Sequence, residues 1–320
     1  MSVRIERIET ASREQWLNFC ENCSYSTYFH TPYWYEFLIP EGKFVPLFIQ
    51  FEDGVSAVIP LVRMKKMGGF LSDTFSSPAG TYGGWISPKP LSKEHAEALL
   101  SVVQKEKNLT VRENPFDPVL SDLRLKNSRE DYTYIVDLSG KKEDIYRSFT
   151  RGHKNAINKA RKSGLAVREA ESQKDWENYY SIYESTVKRW REKDLHIRTV
   201  YPCDLFERIC SRKTEHEKLW LVCKEDVPVA GILCFYWNSH CVAWHGAACA
   251  EYFSIRPNHL LFWEVICDAA RKGYAVFDFN PSGGFSGVES FKTHFGAQRR
   301  ISRVMTTRTF LRGLLAKLRS

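Results

Sequence analysis

The pattern of apolar and polar positions along the chain contains one order of elements twice. A predicted hairpin, in which aliphatic and aromatic runs flank a polar turn, is followed by a stretch with apolar residues at helical spacing. A short predicted strand that ends in Asn-Pro comes next. The paired segments are residues 47–59 and 219–233 for the hairpins, 96–103 and 260–270 for the helices, and Asn114-Pro115 and Asn280-Pro281 for the strand ends.

A helix start is repeated as well. Ser12 and Trp16 recur as Ser172 and Trp176, an offset of 160 residues, and the hairpins at 47 and 219 are offset by 172. Each serine is a suitable N-cap, because an acid follows it in the first turn and an apolar face continues beyond the tryptophan. Several elements in one order at similar offsets indicate an ancient duplication.

The repeat predicts the fold class and the domain organisation. Each half contains a helix, antiparallel strands, a helix and a strand, which is typical of an α/β (α+β) domain with a mixed sheet flanked by helices. A predicted strand at residues 131–138 marks the boundary. We therefore expect two related domains, residues 1–138 and 139–302, with the C-terminal tail 303–320 packed back on the first.

Length and composition agree with two soluble domains. The chain has 320 residues, is 43% hydrophobic and has a mean hydropathy of -0.39, values that exclude a largely disordered protein. The sequence contains no apolar run long enough for a membrane span and begins with mixed charges, so a cytoplasmic location is expected. Cys20 and Cys23 form a C-x-x-C pair, but no further ligands at matching spacing accompany it, and no metal site is predicted.

The net charge of +8 is concentrated in two windows that contain no acid. The two windows together contain 14 bases. The rest of the chain contains 32 bases and 38 acids, a net charge of -6. Such patches are typical of contact with phosphates, and equally of solvated helix faces. The bases are Arg147, Arg151, Lys154, Lys159, Arg161, Lys162 and Arg168 in one window, and Arg299, Arg300, Arg303, Arg308, Arg312, Lys317 and Arg319 in the other.

The second window overlaps an amphipathic stretch at residues 307–320. Its apolar stripe suits either packing on the first domain or contact with the inner face of a membrane. A pure nucleic-acid-binding protein would explain both windows. However, no recognised binding motif is present and the rest of the chain is acidic, so no DNA partner is expected.

Four segments together resemble the FemAB peptidoglycan-bridge aminoacyltransferases and their acetyltransferase-like relatives. The likeness is best over about residues 130–300. It implies two tandem GNAT acyltransferase domains and transfer of an aminoacyl group from transfer RNA to an amine of a cell-envelope precursor. Other relatives use acyl-CoA in polysaccharide or lipid pathways, so the acyl donor stays open between aminoacyl-tRNA and acyl-CoA, with no tightly bound cofactor. The segments are residues 132–138, 151–164, 277–280 and 287–297.

The candidate catalytic residues are Lys292 and Phe291, which the resemblance places at the transfer site. The chain has no nucleophile elbow of the G-x-S-x-G type, so we expect direct attack of an amine on the donor. Lys292 follows a glycine-containing loop and is expected in the first turns of a helix, where its cation could stabilise a developing oxyanion. A core phenylalanine beside a solvated lysine is the alternative.

Further candidates are substrate- and phosphate-binding residues. The bases around Lys154 in the first window are expected on one helix, the basic helix. Their spacing suits contacts with phosphates and not with the nucleobases of a nucleic acid. The resemblance places an arginine that contacts a nucleotide-sugar precursor near Arg189. Arg256 lies in the stretch where CoA-dependent enzymes have a glycine-rich loop, and Pro257 removes one amide there. The full set is Lys154, Lys159, Arg161, Arg189, Arg256 and Trp244. The third functional alternative is a non-catalytic binding protein that uses these basic patches.

Overall fold

The computed structural model describes residues 3–66, 71–120, 123, 125–192, 199–212 and 214–307. Its residues divide into two compact units. Unit 1 comprises the described residues of Met1–Tyr132 and Arg300–Ser320, and unit 2 comprises those of Thr133–Arg299. The predicted boundary at residue 138 lies later than the observed one, because the strand that precedes it pairs with a strand of unit 2.

The helices and strands follow the order that the sequence predicts. The α-helices are α1 (Arg13–Asn22), α2 (Pro32–Leu38), α3 (Lys93–Lys105), α4 (Lys142–Ser148), α5 (Arg151–Lys162), α6 (Gln173–Glu192), α7 (Cys203–Arg212), α8 (Pro257–Arg271) and α9 (Ser286–Thr293). The strands of unit 1 are β1 (Ile5–Thr10), β2 (Lys43–Phe44), β3 (Leu47–Phe51), β4 (Ser56–Ile59), β5 (Val62–Lys66), β6 (Leu71–Phe75), β7 (Tyr82–Gly83), β8 (Leu109–Glu113), β9 (Ser128–Arg129) and β17 (Val304–Thr306). The remaining strands are β10 (Tyr132–Asp137), β11 (Leu165–Glu169), β12 (Glu217–Lys224), β13 (Val227–Trp237), β14 (His240–Ala248), β15 (Val276–Asp278) and β16 (Gln298–Ile301).

Both predicted helix starts are confirmed. The Ser12 hydroxyl accepts a hydrogen bond of 3.0 Å from the amide of Gln15, and the Ser172 hydroxyl accepts one of 3.2 Å from the amide of Asp175. Each cap satisfies one of the free amides of a first helical turn. The predicted helical stretches at 96–103 and 260–270 lie within α3 and α8.

Unit 2 is built around a sheet with the strand order β11-β12-β13-β14-β15-β10-β16. β12 and β13 form the predicted hairpin, and its turn residues Glu225 and Asp226 both lie at positive φ. A turn with two residues at positive φ has a backbone twist that matches the right-handed twist of the flanking strands. β14 and β15 run parallel, with α8 as the crossover between them. The mixed α/β class is thereby confirmed.

β14 and β15 pair only at one end. Their ladder joins His240–Val242 to Val276–Asp278, after which β15 ends while β14 continues to Ala248. The two strands therefore leave a gap in the sheet toward the carboxyl end of β14, beside the start of α8. In open α/β sheets such a break in the strand order is a usual place for a ligand.

Unit 1 contains two sheets. One has the order β1-β3-β4, and the other has the order β2-β5-β6-β8-β17-β9, with β7 beside β8. β17 comes from the C-terminal part of the chain and lies antiparallel to both β8 and β9. Residues 308–320, which carry most of the predicted amphipathic stretch, lie outside the described residues. Within the described ranges, no helix combines the length and the apolar character that a membrane crossing requires.

Candidate active site

A cavity of about 330 Å³ lies in unit 2, at the gap beside β14. Its walls come from α6, β13, β14, α8, α9 and the turn that precedes α8. The described lining residues are mainly apolar and include two cationic side chains, and no carboxylate or imidazole is among them. The lining residues are Thr186, Arg189, Trp190, Gly231, Ile232, Gly246, Ala247, Ala248, Phe253, Asn258, Leu261, Phe262, Gly287, Val288, Phe291 and Lys292.

Lys292 is buried in this cavity wall, with 5% of its surface exposed. Its Nζ donates a hydrogen bond of 2.6 Å to the carbonyl oxygen of Asn280 and lies 5.8 Å from the centre of the Tyr134 ring. The expectation that Lys292 lies in the first turns of its helix is wrong. α9 begins at Ser286, so Lys292 belongs to the last turn. Its charge is therefore placed by its own contacts and not by free amides at a helix start.

The carbonyl that holds Lys292 is itself fixed at the end of β15. Asn280 has a φ of +62°, and its amide donates to a carboxylate oxygen of Asp278 at 2.8 Å. Asp278 is fully buried, accepts a hydrogen bond of 2.6 Å from the Thr133 hydroxyl and lies 3.0 Å from His240 Nε2. Such a connected polar network keeps the strand end rigid. The predicted Asn-Pro strand end therefore serves to aim a carbonyl at Lys292.

Phe291 lies beside Lys292 and connects α9 to two other helices. Its carbonyl would normally bond the amide of Phe295, but that amide donates to Lys292 instead. His153 of α5 takes its place, with Nε2 lying 3.1 Å from the Phe291 oxygen. The Phe291 ring lies 5.2 Å from the ring of His153 and 5.1 Å from that of His259.

Burial holds His153 and His259 in the neutral form. Burial, and after it the neighbouring His294, lowers the pKa of His153 to about 4. Burial also lowers the pKa of His259 to about 4, with further contributions from His153 and Arg256. Burial disfavours the charged imidazolium in each case. A neutral His153 that bonds a carbonyl through Nε2 must carry its proton on that nitrogen.

Arg189 is the third predicted residue in the cavity. Its Nη1 donates to the carbonyl of Ala248 at 3.2 Å, and its guanidinium carbon lies 4.9 Å from the centre of the Phe253 ring. These two contacts hold the guanidinium in the wall, where it stacks on an aromatic face. The structure therefore brings Lys292, Phe291 and Arg189 together.

The basic-helix candidates lie elsewhere on unit 2. Lys154 donates to the carbonyl of Arg147 at 2.9 Å, Arg161 pairs with Glu264 at 2.8 Å, and Lys159 is exposed. None of these three cations is among the lining residues. All three lie outside the buried face of α5, which packs on α8, and Arg161 reaches Glu264 of α8 from the edge of that face.

Arg256 and Trp244 also lie outside the lining. Arg256 is exposed and forms the N-cap of α8 at a φ of +65°. Trp244 lies where the pairing of β13 and β14 shifts register, and its ring contacts Tyr201 at 4.9 Å and Phe235 at 5.7 Å. A register shift of this kind turns a side chain away from its regular position.

No group of three or more histidine, cysteine or acidic side chains suited to a metal ion is found in the described part of the chain. Cys20 and Cys23 are both buried, and neither forms a disulfide. Cys20 donates to the carbonyl of His30 at 3.3 Å, as does the indole of Trp16 at 2.7 Å. These cysteines pack as small core residues in unit 1.

Comparisons with known proteins identify the fold. Residues 147–293, a range that contains every lining residue, match the family model of the acetyltransferase (GNAT) domain. A search of curated proteins found no significant match. The crystal structure of FemX is similar, with 14% identity and a TM-score of 0.67 over 93% of this chain and 96% of that chain.

Two further solved structures share the fold. L-PGS from Bacillus licheniformis has 14% identity and a TM-score of 0.58, over 97% of each chain. The C-terminal domain of a putative lysylphosphatidylglycerol synthetase from Agrobacterium fabrum has 12% identity and a TM-score of 0.55, over 96% of this chain and 95% of that chain. These likenesses show a FemAB-like GNAT fold, and the match of residues 147–293 to the acetyltransferase (GNAT) domain identifies the chain as an acyltransferase.

Proposed function

We propose that this acyltransferase passes an aminoacyl group from aminoacyl-tRNA to an amine of a cell-envelope precursor of the peptidoglycan type. The observation that supports the proposal is that Lys292, Phe291 and Arg189 line the same cavity. A charged transfer RNA is a cytoplasmic donor, so the reaction takes place in the cytoplasm. The acceptor is met there or at the inner face of the membrane.

Lys292 acts on the reacting carbonyl. When the amine attacks the ester carbon, negative charge develops on the carbonyl oxygen, and a preplaced cation stabilises that charge more than it stabilises the substrate. The bond from Nζ to the Asn280 carbonyl holds the ammonium in place before substrate arrives. Burial strengthens its field, because little water screens it.

The chain forms no covalent intermediate in this proposal. A carbon–nitrogen bond forms to the acceptor amine, the carbon–oxygen bond to the RNA ribose breaks, and the proton of the amine passes to the leaving ribose oxygen. No carboxylate or imidazole lies among the described lining residues that could take this proton. Positioning of the two substrates and stabilisation of the oxyanion therefore account for the catalysis.

The start of α8 favours an RNA donor over CoA. A CoA pyrophosphate needs free amides at such a place. Here Arg256 donates its amide to Phe253, Pro257 has no amide hydrogen, and His259 donates to Arg256, both bonds being 3.2 Å long. An aminoacyl ester of RNA carries no pyrophosphate next to the reacting group, and for that reason it suits this turn better.

Acyl-CoA remains the second candidate donor, because the family model that matches residues 147–293 is that of an acetyltransferase domain. The deciding experiment offers charged transfer RNAs and acyl-CoAs in parallel and records which donor is discharged in the presence of amine acceptors. Discharge of aminoacyl-tRNA with transfer to the amine supports the proposal. Discharge of acyl-CoA alone contradicts it in favour of the second candidate.

A further inference from the structure

The last turn of α9, which carries Lys292, is held by one side chain from another helix. Helix C-termini leave carbonyls without partners inside the helix. At this end the amides of His294, Phe295 and Gly296 donate to Ser290, Lys292 and Thr293, so the carbonyl of Phe291 is passed over. His153 Nε2 lies 3.1 Å from that oxygen.

The position of the His153 ring is fixed on several sides. Its centre lies 4.5 Å from the ring of Phe295, 4.6 Å from that of His259 and 5.3 Å from that of His294. Only 6% of His153 is exposed, although it belongs to a helix rich in exposed bases. Packing of this kind leaves the ring one orientation, and in it Nε2 faces the Phe291 carbonyl.

Lys292 therefore has two anchors. One is the bond from its own Nζ to the carbonyl of Asn280. The other acts on its backbone, through the neighbouring carbonyl that His153 holds. α9 has eight residues, too short a helix to keep its last turn in place by its own hydrogen bonds. Loss of the second anchor lets the ammonium move relative to the reacting carbonyl, while the cavity walls from α6, β13, β14 and α8 stay in place.

We infer that His153 is a positioning residue for the transfer reaction, which acts by holding the backbone beside Lys292 through the Phe291 carbonyl. The inference rests on the proposed function of Lys292. His153 is not among the described lining residues, so it has no contact with substrate through this cavity. Its effect is expected in the rate of the chemical step and not in the binding of either substrate.

The test compares His153→Leu with His153→Gln. Leucine fills the space but donates no hydrogen bond, whereas the glutamine amide reaches about as far as Nε2 and retains a donor. A displacement of about 1 Å at a reacting centre costs up to about 100-fold in rate. We expect His153→Leu to lower kcat by about 10- to 100-fold with KM nearly unchanged, and His153→Gln to recover most of that loss.

A double-mutant cycle separates positioning from general weakening of the fold. If His153 acts through Lys292, His153→Leu produces almost no further loss in a Lys292→Ala background. A matched control is His95→Leu in unit 1. His95 is also buried and bonded at a helix end, with Nδ1 2.9 Å from the Ser92 hydroxyl. That variant is expected to lower the melting temperature and leave kcat unchanged.

Three results would overturn the inference: equal rates for the leucine and glutamine variants, a loss confined to KM, or full multiplication of the two losses in the double variant. If His153→Leu does not fold, His153→Asn replaces it, because the shorter amide does not reach the Phe291 oxygen. Failure of the proposed function has a different signature. In that case Lys292→Ala itself keeps wild-type turnover.

Discussion

The ends of β8 in unit 1 and β15 in unit 2 are both strand ends followed by an Asn-Pro step, yet they differ in what they leave open. Near β15 lies the cavity of about 330 Å³ whose lining includes Lys292. Near β8 the remaining space is about 20 Å³, and apolar side chains such as Leu100, Val111 and Met305 fill its surroundings. Similar strand ends therefore border an open cavity in one unit and a closed apolar core in the other.

The C-terminal part of the chain explains much of this difference. β17 lies beside β8, and Arg303, just before it, donates 2.6 Å and 2.8 Å hydrogen bonds to the two carboxylate oxygens of Glu113. Arg303 also donates to the carbonyls of Leu120 and Leu123, each at 3.0 Å. In unit 1 the charges at the strand end neutralise each other. In unit 2 the cation at the strand end lies beside a cavity whose described lining residues include no carboxylate.

The largest expected effect is that of Lys292→Ala on turnover. Removal of one group that stabilises an oxyanion typically costs about 100- to 1000-fold in rate. Stability should fall by only about 1 kcal/mol, the usual contribution of one hydrogen bond. Rate and thermal unfolding are measured side by side, with Lys292→Arg as the variant that keeps the charge. Wild-type turnover of the alanine variant with both donor classes would remove Lys292 from the chemistry.

The matched change in unit 1 is Glu113→Gln, which should affect stability and spare turnover. It leaves Arg303 charged without its carboxylate, and loss of one partner of a buried ion pair costs about 3 kcal/mol or more. Unfolding in urea measures this cost, and turnover is expressed per folded molecule. If turnover falls while the free energy of unfolding does not change, unit 1 carries chemistry and the contrast between the units is wrong.

A smaller effect is expected from charge reversal at Lys154, Lys159 and Arg161 on α5. If these bases neutralise phosphates of the donor, their reversal weakens donor binding and lowers the slope of log affinity against log salt by about 2 to 3. Lys159 should contribute most, because Lys154 and Arg161 already have partners in the chain. Reversal of Lys93 and Lys105 on α3 is the control. An unchanged salt slope would identify the α5 bases as a solvated surface.

A further expected effect is an opposite response of the two units to acid. The pKa values of His153 and His259 are about 4 and that of His245 is about 3, each lowered by burial from an unfolded value near 6.5. Below pH 6.5 the unfolded chain binds more protons than the folded one, so unit 2 loses stability as the pH falls toward 4.

Asp117 gives unit 1 the reverse sign. Burial raises its pKa to about 6, so the folded form holds the proton more tightly, and its contribution to stability grows as the pH falls from 6 toward 4. Residue-resolved unfolding in urea at about pH 7 and about pH 5 tests both signs. Equal acid sensitivity of the two units would contradict the assignment.

Local signals in the sequence predicted much of the fold. The caps Ser12 and Ser172, the two hairpins and the helices at 96–103 and 260–270 depend on neighbouring residues, and these are confirmed. The pairing of β17 with β8 joins residues almost 200 positions apart, with Val304 opposite Arg112. In neither strand does the pattern of apolar and polar residues indicate which strand it pairs with. The sequence therefore predicts that the C-terminal segment packs on unit 1, but not which residues of β17 and β8 pair.

Three of the eight site residues that the sequence predicts line one cavity, and the other five are not among its lining residues. Lys292, Phe291 and Arg189 line one cavity, as a shared site requires, but the helix start at Ser286 places Lys292 in the last turn. His153 was missed because its neighbours in sequence are bases. A signal existed, since His153 shares the buried face of α5 with Ile157 and Ala160 at positions i, i+4 and i+7.

The most direct test of the contrast between the units follows the indole signals of Trp190 and Trp85 by NMR. Trp190 lines the cavity of unit 2, and Trp85 lines the small space of unit 1. The probes are an RNA minihelix whose aminoacyl group is joined by an unreactive amide and an acyl-CoA analogue joined by a thioether. We predict that the RNA probe shifts the Trp190 signal and leaves that of Trp85 unchanged. A shift of Trp85, or of neither indole with either probe, would contradict a transfer site in the cavity of unit 2.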